Sequence, residues 1–474
     1  MKETSRFYSS LVLLIVLNAV IKPVWIFGID REVQNQVGVE AYGSYFSTFN
    51  LSIVLGFLHD WGLTTFYNRH LAARDEELAG NAGTFVLLKI LFSVFYLAIV
   101  FLVAFISGIR RWDMVFYVAT TQALASMFIF FRAIITAKQW FHTDAWFSVL
   151  DKLLMIIVCF PFLYCPVWAG NMSIERFLIL QMICTALAMI TTLLLLLARH
   201  FHFSFQTIWP GKHVFKAALP FAIVVLLMSF HYRTDGFLLE RISSAAEAGK
   251  YAGAYRLLDA ANMIGFLLAS FLVPYLARHQ QDVKLINMVI LDLRHLLLVF
   301  SITIACIVIF LAPWIQKVLY HHTDLSFVEV MRWCIPALVC YSLVQIYSAV
   351  LIAAGHIRAI SYFTFGAVII NIGSNILLIP HYGAKGTCIA AIASQAFCGV
   401  STMIYANRRL HVSLGLKSIL IYALIGMVTG CFLYFGAEWL PNRAIVILIA
   451  GIIAFILLWA TRLLDLKTWK SVLK

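Results

Sequence analysis

The sequence predicts an all-α polytopic membrane protein of about fourteen transmembrane helices. Three observations predict it: an extreme apolar composition, long apolar runs that recur along nearly the whole chain, and short connections between them. Of 474 residues, 62% are hydrophobic and 12% charged, with a mean hydropathy of +0.92. Ordinary soluble domains hold about 45–50% apolar and about 25% charged residues, so no soluble core absorbs this excess. A spanning helix needs about 20 consecutive, mostly apolar residues, because hydrocarbon offers no partner to a free backbone N–H or C=O. Runs of that kind lie at roughly 8–27, 43–66, 83–107, 114–137, 145–168, 174–197, 214–240, 248–276, 291–313, 328–354, 360–380, 387–407, 417–436 and 443–464. The N-terminal run follows Lys2 and Arg6, as a signal peptide would, but lacks a small-residue cleavage pattern and reads as a retained first helix.

An even number of spans puts both ends of the chain on one side. The loops on that side carry the larger share of Lys and Arg, among them Arg69, Lys138, Arg199, Arg278, Arg294, Arg408 and Arg409, which makes that side cytoplasmic. The same bias accounts for the net charge of +13 and the pI near 9.3. No exposed basic domain exists to carry a nucleic acid, so that class of partner is excluded, and anionic membrane lipids take its place. The 9 cysteines lie in or beside apolar runs without Cys-x-x-Cys spacing, and read as small core residues. His321-His322 is the densest histidine pair, and no His-x-x-x-His with an intervening carboxylate occurs, so no metal site is expected.

A weak repeat runs through the chain. Glu40-Ala41 before the second span recurs as Glu247-Ala248 before the eighth, Arg69-His70 as Arg278-His279, and Ile135-Thr136-Ala137 as Ile352-Ala353-Ala354, in order and at a spacing near half the chain. The spacing divides the sequence into a six-helix lobe over 1–200, a second over 201–410 in the same orientation, and two additional helices over 411–474.

Ionisable side chains within spans cost several kcal/mol unless they face a bundle interior or water, which makes them functional candidates. Six cations qualify: Lys22, Lys89, Arg132, Lys152, Arg233 and Arg256. The carboxylates at similar depth are fewer, chiefly Asp60, Asp151, Asp235 and Asp259, so the expected interior is net positive. Such a lining suits a phosphate-bearing substrate, since an opposite charge about 4 Å away is worth around 4 kcal/mol at an effective dielectric of 20 before desolvation. The competing reading is that these cations snorkel to head groups or form structural ion pairs. Arg256 and Asp259 share a helix face and can neutralise each other. Asp235 is left either to pair with Arg256 or, with Asp259, to serve as a candidate coupling site for H⁺ or Na⁺. Asn371 and Asn375 are candidate polar cavity residues, with interhelical hydrogen bonding the plainer role. Tryptophans near span ends, Trp25 and Trp61 among them, read as interfacial anchors. No nucleotide-binding or catalytic motif occurs, so neither an enzyme nor an ATP-driven pump is expected and no cofactor is implied.

Several stretches carry a family resemblance. Asp235-Gly236-Phe237-Leu238-Leu239, followed by Glu247-Ala248-Gly249-Lys250-Tyr251-Ala252-Gly253-Ala254-Tyr255-Arg256, resembles the centre of the polysaccharide and O-antigen (Wzx-type) flippases of the multidrug/oligosaccharidyl-lipid/polysaccharide (MOP) superfamily. Asn371-Ile372-Gly373-Ser374-Asn375 through Ile379-Pro380, continuing to Tyr382-Gly383, is similar to that family's asparagine-rich helix, and Gly38-Val39-Glu40-Ala41-Tyr42-Gly43 with Asp60-Trp61-Gly62-Leu63 to its opening. The resemblance implies a MATE/MOP-like pair of lobes around a cationic cavity, rocking by alternating access in a bacterial inner membrane. It implies an undecaprenyl-diphosphate-linked oligosaccharide as cargo, moved from the cytoplasmic to the periplasmic leaflet, with polysaccharide polymerase machinery as a candidate partner. The alternatives are a cation-coupled multidrug or small-molecule exporter of the same fold, a peptidoglycan-precursor flippase, and a membrane-embedded polymerase, which would be expected to carry a large external loop.

Overall fold

A computed structural model describes residues 2–72, 81–168, 170–205, 212–278, 283–321, 324–415, 417–440, 442–461 and 463. Every predicted span is helical. The first, α1, runs as Lys2–Pro23, a π-helical stretch Val24–Asp30, then Arg31–Val37. The second, α2, is broken into Val39–Val54, Phe57–Asp60 and Leu63–Ala72. There follow α3 (Ala82–Ile106), α4 (Trp112–Ala137), α5 (Phe141–Phe147 and Leu150–Tyr164), α6 (Ile174–Ala198), α7 (Lys212–Ile242) and α8 (Ala245–Arg278). The remainder are α9 (Val283–Tyr320), α10 (Leu325–Cys334 and Ala337–Ala353), α11 (Ile357–Tyr382), α12 (Ala384–Leu410), α13 (Lys417–Trp439) and α14 (Arg443–Ala460). Among the described residues 12 helices are long and apolar enough to cross a membrane by length and composition.

The chain forms two compact units, Met1–Gly249 and Lys250–Lys474. In the first, α6 packs on α4, α1 on the first segment of α5, α3 on the middle of α2, and α7 on the start of α2. Aromatic side chains fill its core: Phe66, Tyr67, Phe85, Phe130 and Phe131 are buried together with Leu88 and Ile134. In the second unit α11, α10 and α12 form one layer, while α13 and α14 pack on α9 through Val299, Ile425, Ala454 and Leu458. The outward faces are as apolar as the cores. On α3, Leu87, Ile90, Leu91, Val94, Phe95, Leu102 and Phe105 are exposed at helical spacing, as a lipid-facing stripe requires.

The first helix continues to Val37, beyond the expected 8–27, and two further departures concern the interior. α9 spans 38 residues, well beyond 291–313, and Arg294, read from sequence as a loop cation, lies inside it at 2% exposure. Its Nη1 donates to the Tyr347 hydroxyl (3.1 Å) and to the carbonyls of Ser413 (3.4 Å) and Leu414 (2.7 Å), so the guanidinium fastens the α12–α13 linker to α9. The charge lowered the local hydropathy, but acceptors distant in sequence hold it inside. Substituting Arg294→Met is expected to orphan those carbonyls, lower stability by about 1–3 kcal/mol and speed hydrogen exchange at residues 411–415; unchanged exchange there would contradict this anchoring role.

α2 is the second departure, since one continuous span over 43–66 was expected. Trp61 and Gly62 take positive φ values of 45° and 73°, which no α-helix accommodates, and the chain turns at Leu55–Gly56 as well.

Candidate substrate site

The first unit gathers three of the six predicted cations. Pro23, with no N–H to donate, and the wider π turn after it interrupt α1 just beyond Lys22. A break at Ser148–Val149 interrupts α5, and Ser148 Oγ there accepts a 2.8 Å hydrogen bond from Asn18 Nδ2 of α1. The two interruptions meet. Lys22 lies within electrostatic range of Asp151, Lys152 and Arg132.

Arg132 on α4 is held by Asp144, with Nε and Nη2 each 2.9 Å from one carboxylate oxygen, and its guanidinium sits 5.8 Å from the Phe128 ring centroid. Lys152 pairs with the adjacent Asp151 at 3.1 Å, and its ammonium lies 5.2 Å above the Trp25 ring. Trp25 is therefore no interfacial anchor; it is buried, stacked on Phe177 at 6.1 Å. Lys22 makes no ion pair or hydrogen bond within the described residues. Three cations thus face two carboxylates, and the side chains of Arg132, Lys152 and Asp151 stay partly accessible, at 22%, 29% and 23%. The group is half-buried and carries surplus positive charge.

The remaining candidates lie elsewhere. Lys89 on α3 is fully buried and forms an ion pair with Asp60 of α2. Arg233 and Asp235 lie on α7 in the first unit, the former half-buried and the latter buried, and both engage other groups. Arg256 and Asp259 lie on α8 in the second unit, half-buried and also engaged. Asn371 and Asn375 are buried between α11 and α12: Asn375 Nδ2 donates to the Asn371 side-chain oxygen (3.2 Å), and Asn371 Nδ2 to Ser394 Oγ (3.4 Å). Among the described residues no group of three His, Cys, Asp or Glu could hold a metal.

Asp144 was missed in sequence because it falls just ahead of the apolar run that begins at 145. Its position 12 residues beyond Arg132 was the available signal.

No family model matches the chain, and no curated protein matches it by sequence. Solved structures do match. The lipid II flippase MurJ, in an inward closed conformation, superposes with a TM-score of 0.76 at 13% identity, covering 95% of this chain and 97% of that one. Multidrug resistance MATE transporters of the MOP superfamily superpose with TM-scores of 0.62 (inward-facing, 15% identity, 81% of this chain and 94% of that one) and 0.57 (outward-facing, 14% identity, 86% and 96%). The chain is an all-α, multi-pass membrane protein with the fold shared by the flippases and transporters of the MOP superfamily.

Proposed function

We propose that this protein is a flippase for a glycan carried on a polyprenyl diphosphate, and that its cargo is an undecaprenyl-diphosphate-linked oligosaccharide moved to the periplasmic leaflet of a bacterial inner membrane for O-antigen, capsule or exopolysaccharide assembly. The observation that carries the reading is the cluster of Lys22, Arg132 and Lys152, with one cation more than its carboxylates balance. A diphosphate supplies the missing negative charge. The sugar head explains why a protein is needed at all: each hydroxyl stripped of hydrogen bonds costs about 1–3 kcal/mol to bury, so a head with many of them does not cross hydrocarbon unaided. The protein alternates between inward- and outward-open states, with six-helix lobes over 1–200 and 201–410 and two additional helices over 411–474, and Arg233 and Arg256 are further candidate cargo contacts. Both chain ends face the cytoplasm. A drug exporter selecting cations would want the opposite sign of charge in its site.

A second reading has its own support. Overlap with a lipid II flippase over 95% of the chain favours a peptidoglycan precursor as cargo, which shares the lipid diphosphate and differs in the glycan. Depleting the protein and identifying the lipid-linked intermediate left on the cytoplasmic leaflet decides between them. Stranded oligosaccharide in viable cells lacking surface glycan supports the first reading; stranded precursor with lysis supports the second. Normal surface glycan and no stranded lipid would refute both.

A further inference from the structure

The connection between α5 and α6 builds a pocket that the cation cluster does not use. α5 stops at Tyr164 because Cys165, directly ahead of Pro166, takes an extended conformation (φ −80°, ψ 126°). The chain then turns: the Trp168 N–H donates to the Cys165 carbonyl (3.0 Å), the Asn171 N–H donates to the Trp168 carbonyl (3.3 Å), and Gly170 takes a φ of 84° that side chains resist. Ser173 caps α6, its Oγ accepting from the Arg176 N–H at 3.2 Å. Folded in this way, Phe162, Trp168, Asn171 and Arg176 line an open cavity of about 430 Å³. Small-molecule sites measure about 300–1,000 Å³. With the N-terminus in the cytoplasm, this connection follows the fifth crossing and faces the periplasm. Phe162 lies roughly 15 Å along α5 from Lys152, at about 1.5 Å per residue, so the pocket is separate from the cation cluster.

Its lining combines aromatic faces with hydrogen-bonding groups. The Trp168 ring stacks on Phe162, with 5.6 Å between centroids and 26° between planes, and stays 51% exposed. The Arg176 guanidinium lies 5.5 Å from the Phe162 centroid, and its Nη1 donates to the Asn171 carbonyl, which fixes the fork beside the rings. Asn171 is exposed, and its side-chain amide, which can both donate and accept, makes no hydrogen bond within the described residues. Local charge is balanced. Glu175, next to Arg176 in sequence, accepts from Arg111, and Arg111 also reaches Asp113 at 3.3 Å. Two arginines thus stand with two carboxylates, in contrast to the surplus of cations around Lys22. A phosphate gains little where no net positive charge waits for it, whereas a neutral ligand with an apolar face and a polar rim fits both halves of the lining.

We propose that this pocket is an external saccharide subsite, in which a neutral pyranose unit of the glycan rests its C–H face on Trp168 and shares hydroxyl hydrogen bonds with Asn171 and Arg176. A pyranose has both needs: its C–H faces are apolar, and the hydroxyls at its rim donate and accept. The proposal rests on the glycan reading of the cargo and adds a place where the sugar head is held after it reaches the outer face. Binding of a free sugar requires no lipid carrier and no transport, so the two readings fail separately. Stranded lipid-linked glycan after depletion speaks to transport, and sugar binding by the purified protein speaks to the pocket.

The test is a saturation-transfer NMR titration of maltotetraose, chitotetraose and mannotetraose against the purified full chain in nanodiscs of phosphatidylethanolamine and phosphatidylglycerol, with empty nanodiscs as the blank. At least one of the three is expected to bind saturably. Trp168→Ala is expected to weaken that binding about three- to tenfold, the worth of one aromatic contact. Trp168→Phe keeps an aromatic face and is expected to bind within about twofold of wild type. Asn171→Ala, at a second exposed position, is expected to weaken binding without moving the thermal unfolding midpoint. Inorganic phosphate is expected to leave the bound sugar in place. Absence of saturable binding by all three sugars, binding indifferent to Trp168→Ala and Asn171→Ala, or displacement by phosphate would overturn the proposal and leave Trp168 an interfacial anchor.

Discussion

Replacing Lys22 with glutamine is expected to cut glycan export by about ten- to a hundredfold while leaving the protein folded and in the membrane. A hydrogen bond to a charged group is worth about 1.5–3 kcal/mol, and each 1.4 kcal/mol is a factor of ten. Lys22 is the cleanest cation to remove. It shares the electrostatic neighbourhood of Arg132, Lys152 and Asp151 but holds no carboxylate of its own among the described residues, so its loss strands no buried anion. Arg132 behaves differently. Truncating it alone orphans Asp144, whose side chain is 10% exposed, and breaking a buried pair by removing one partner costs about 3–5 kcal/mol. A fall in export after Arg132→Gln would thus conflate misfolding with lost binding. Arg132→Gln combined with Asp144→Asn keeps the local charge balanced and isolates the loss of the guanidinium fork. Export is read as surface glycan restored to a deletion strain, against protein level in isolated membranes. Normal surface glycan with Lys22→Gln and with the paired variant would remove the anion-receiving role of this cluster.

How much of this was legible in sequence varies with the physics involved. Membrane helices announce themselves, because the bilayer imposes a length and an apolarity that composition shows directly. All fourteen predicted spans correspond to helices. The cations of the cluster were equally visible, since a charge inside an apolar run is conspicuous. Asp151 and Asp60 were visible in the same way, but the pairings across helices were not. Asp144 lies outside the run as hydropathy draws it, and the pairing of Lys89 with Asp60, 29 residues apart, depends on how α2 and α3 pack. The break in α2 was hidden for another reason: Trp61 and Gly62 do not lower the apolar average enough to end a span, yet their positive φ values end the helix. Arg294 shows the converse failure. A charge near an apolar boundary was placed in a loop, whereas Tyr347 and two linker carbonyls supply acceptors that hold it inside α9.

The weak sequence repeat acquires a structural consequence at Gly43 and Gly249. The echoing pairs Glu40-Ala41 and Glu247-Ala248 lie at the starts of α2 and α8, and those two starts meet within the first unit. A Cβ on Gly43 would fall 1.9 Å from the Ala245 carbonyl oxygen, and one on Gly249 would fall 2.0 Å from the Val39 carbonyl oxygen. Both obstacles are backbone, so no rotamer change relieves them. Gln34 Nε2 adds a 2.9 Å hydrogen bond to the Gly249 carbonyl, which ties the end of α1 to the same contact. Gly249→Ala, a single added methyl, is therefore expected to force the helix starts apart and to destabilise the protein by more than the roughly 1–3 kcal/mol usual for overpacking. Gly373→Ala is the matched control. Gly373 lies in the middle of α11 with nothing within 4 Å of its added Cβ, so the same chemical change there should stabilise by about 0.5–1 kcal/mol through helix propensity. Thermal unfolding midpoints of the two variants in one detergent should move in opposite directions. A Gly249→Ala protein as stable as wild type would mean that the helix starts are not in backbone contact, since no smaller side chain exists to test the space.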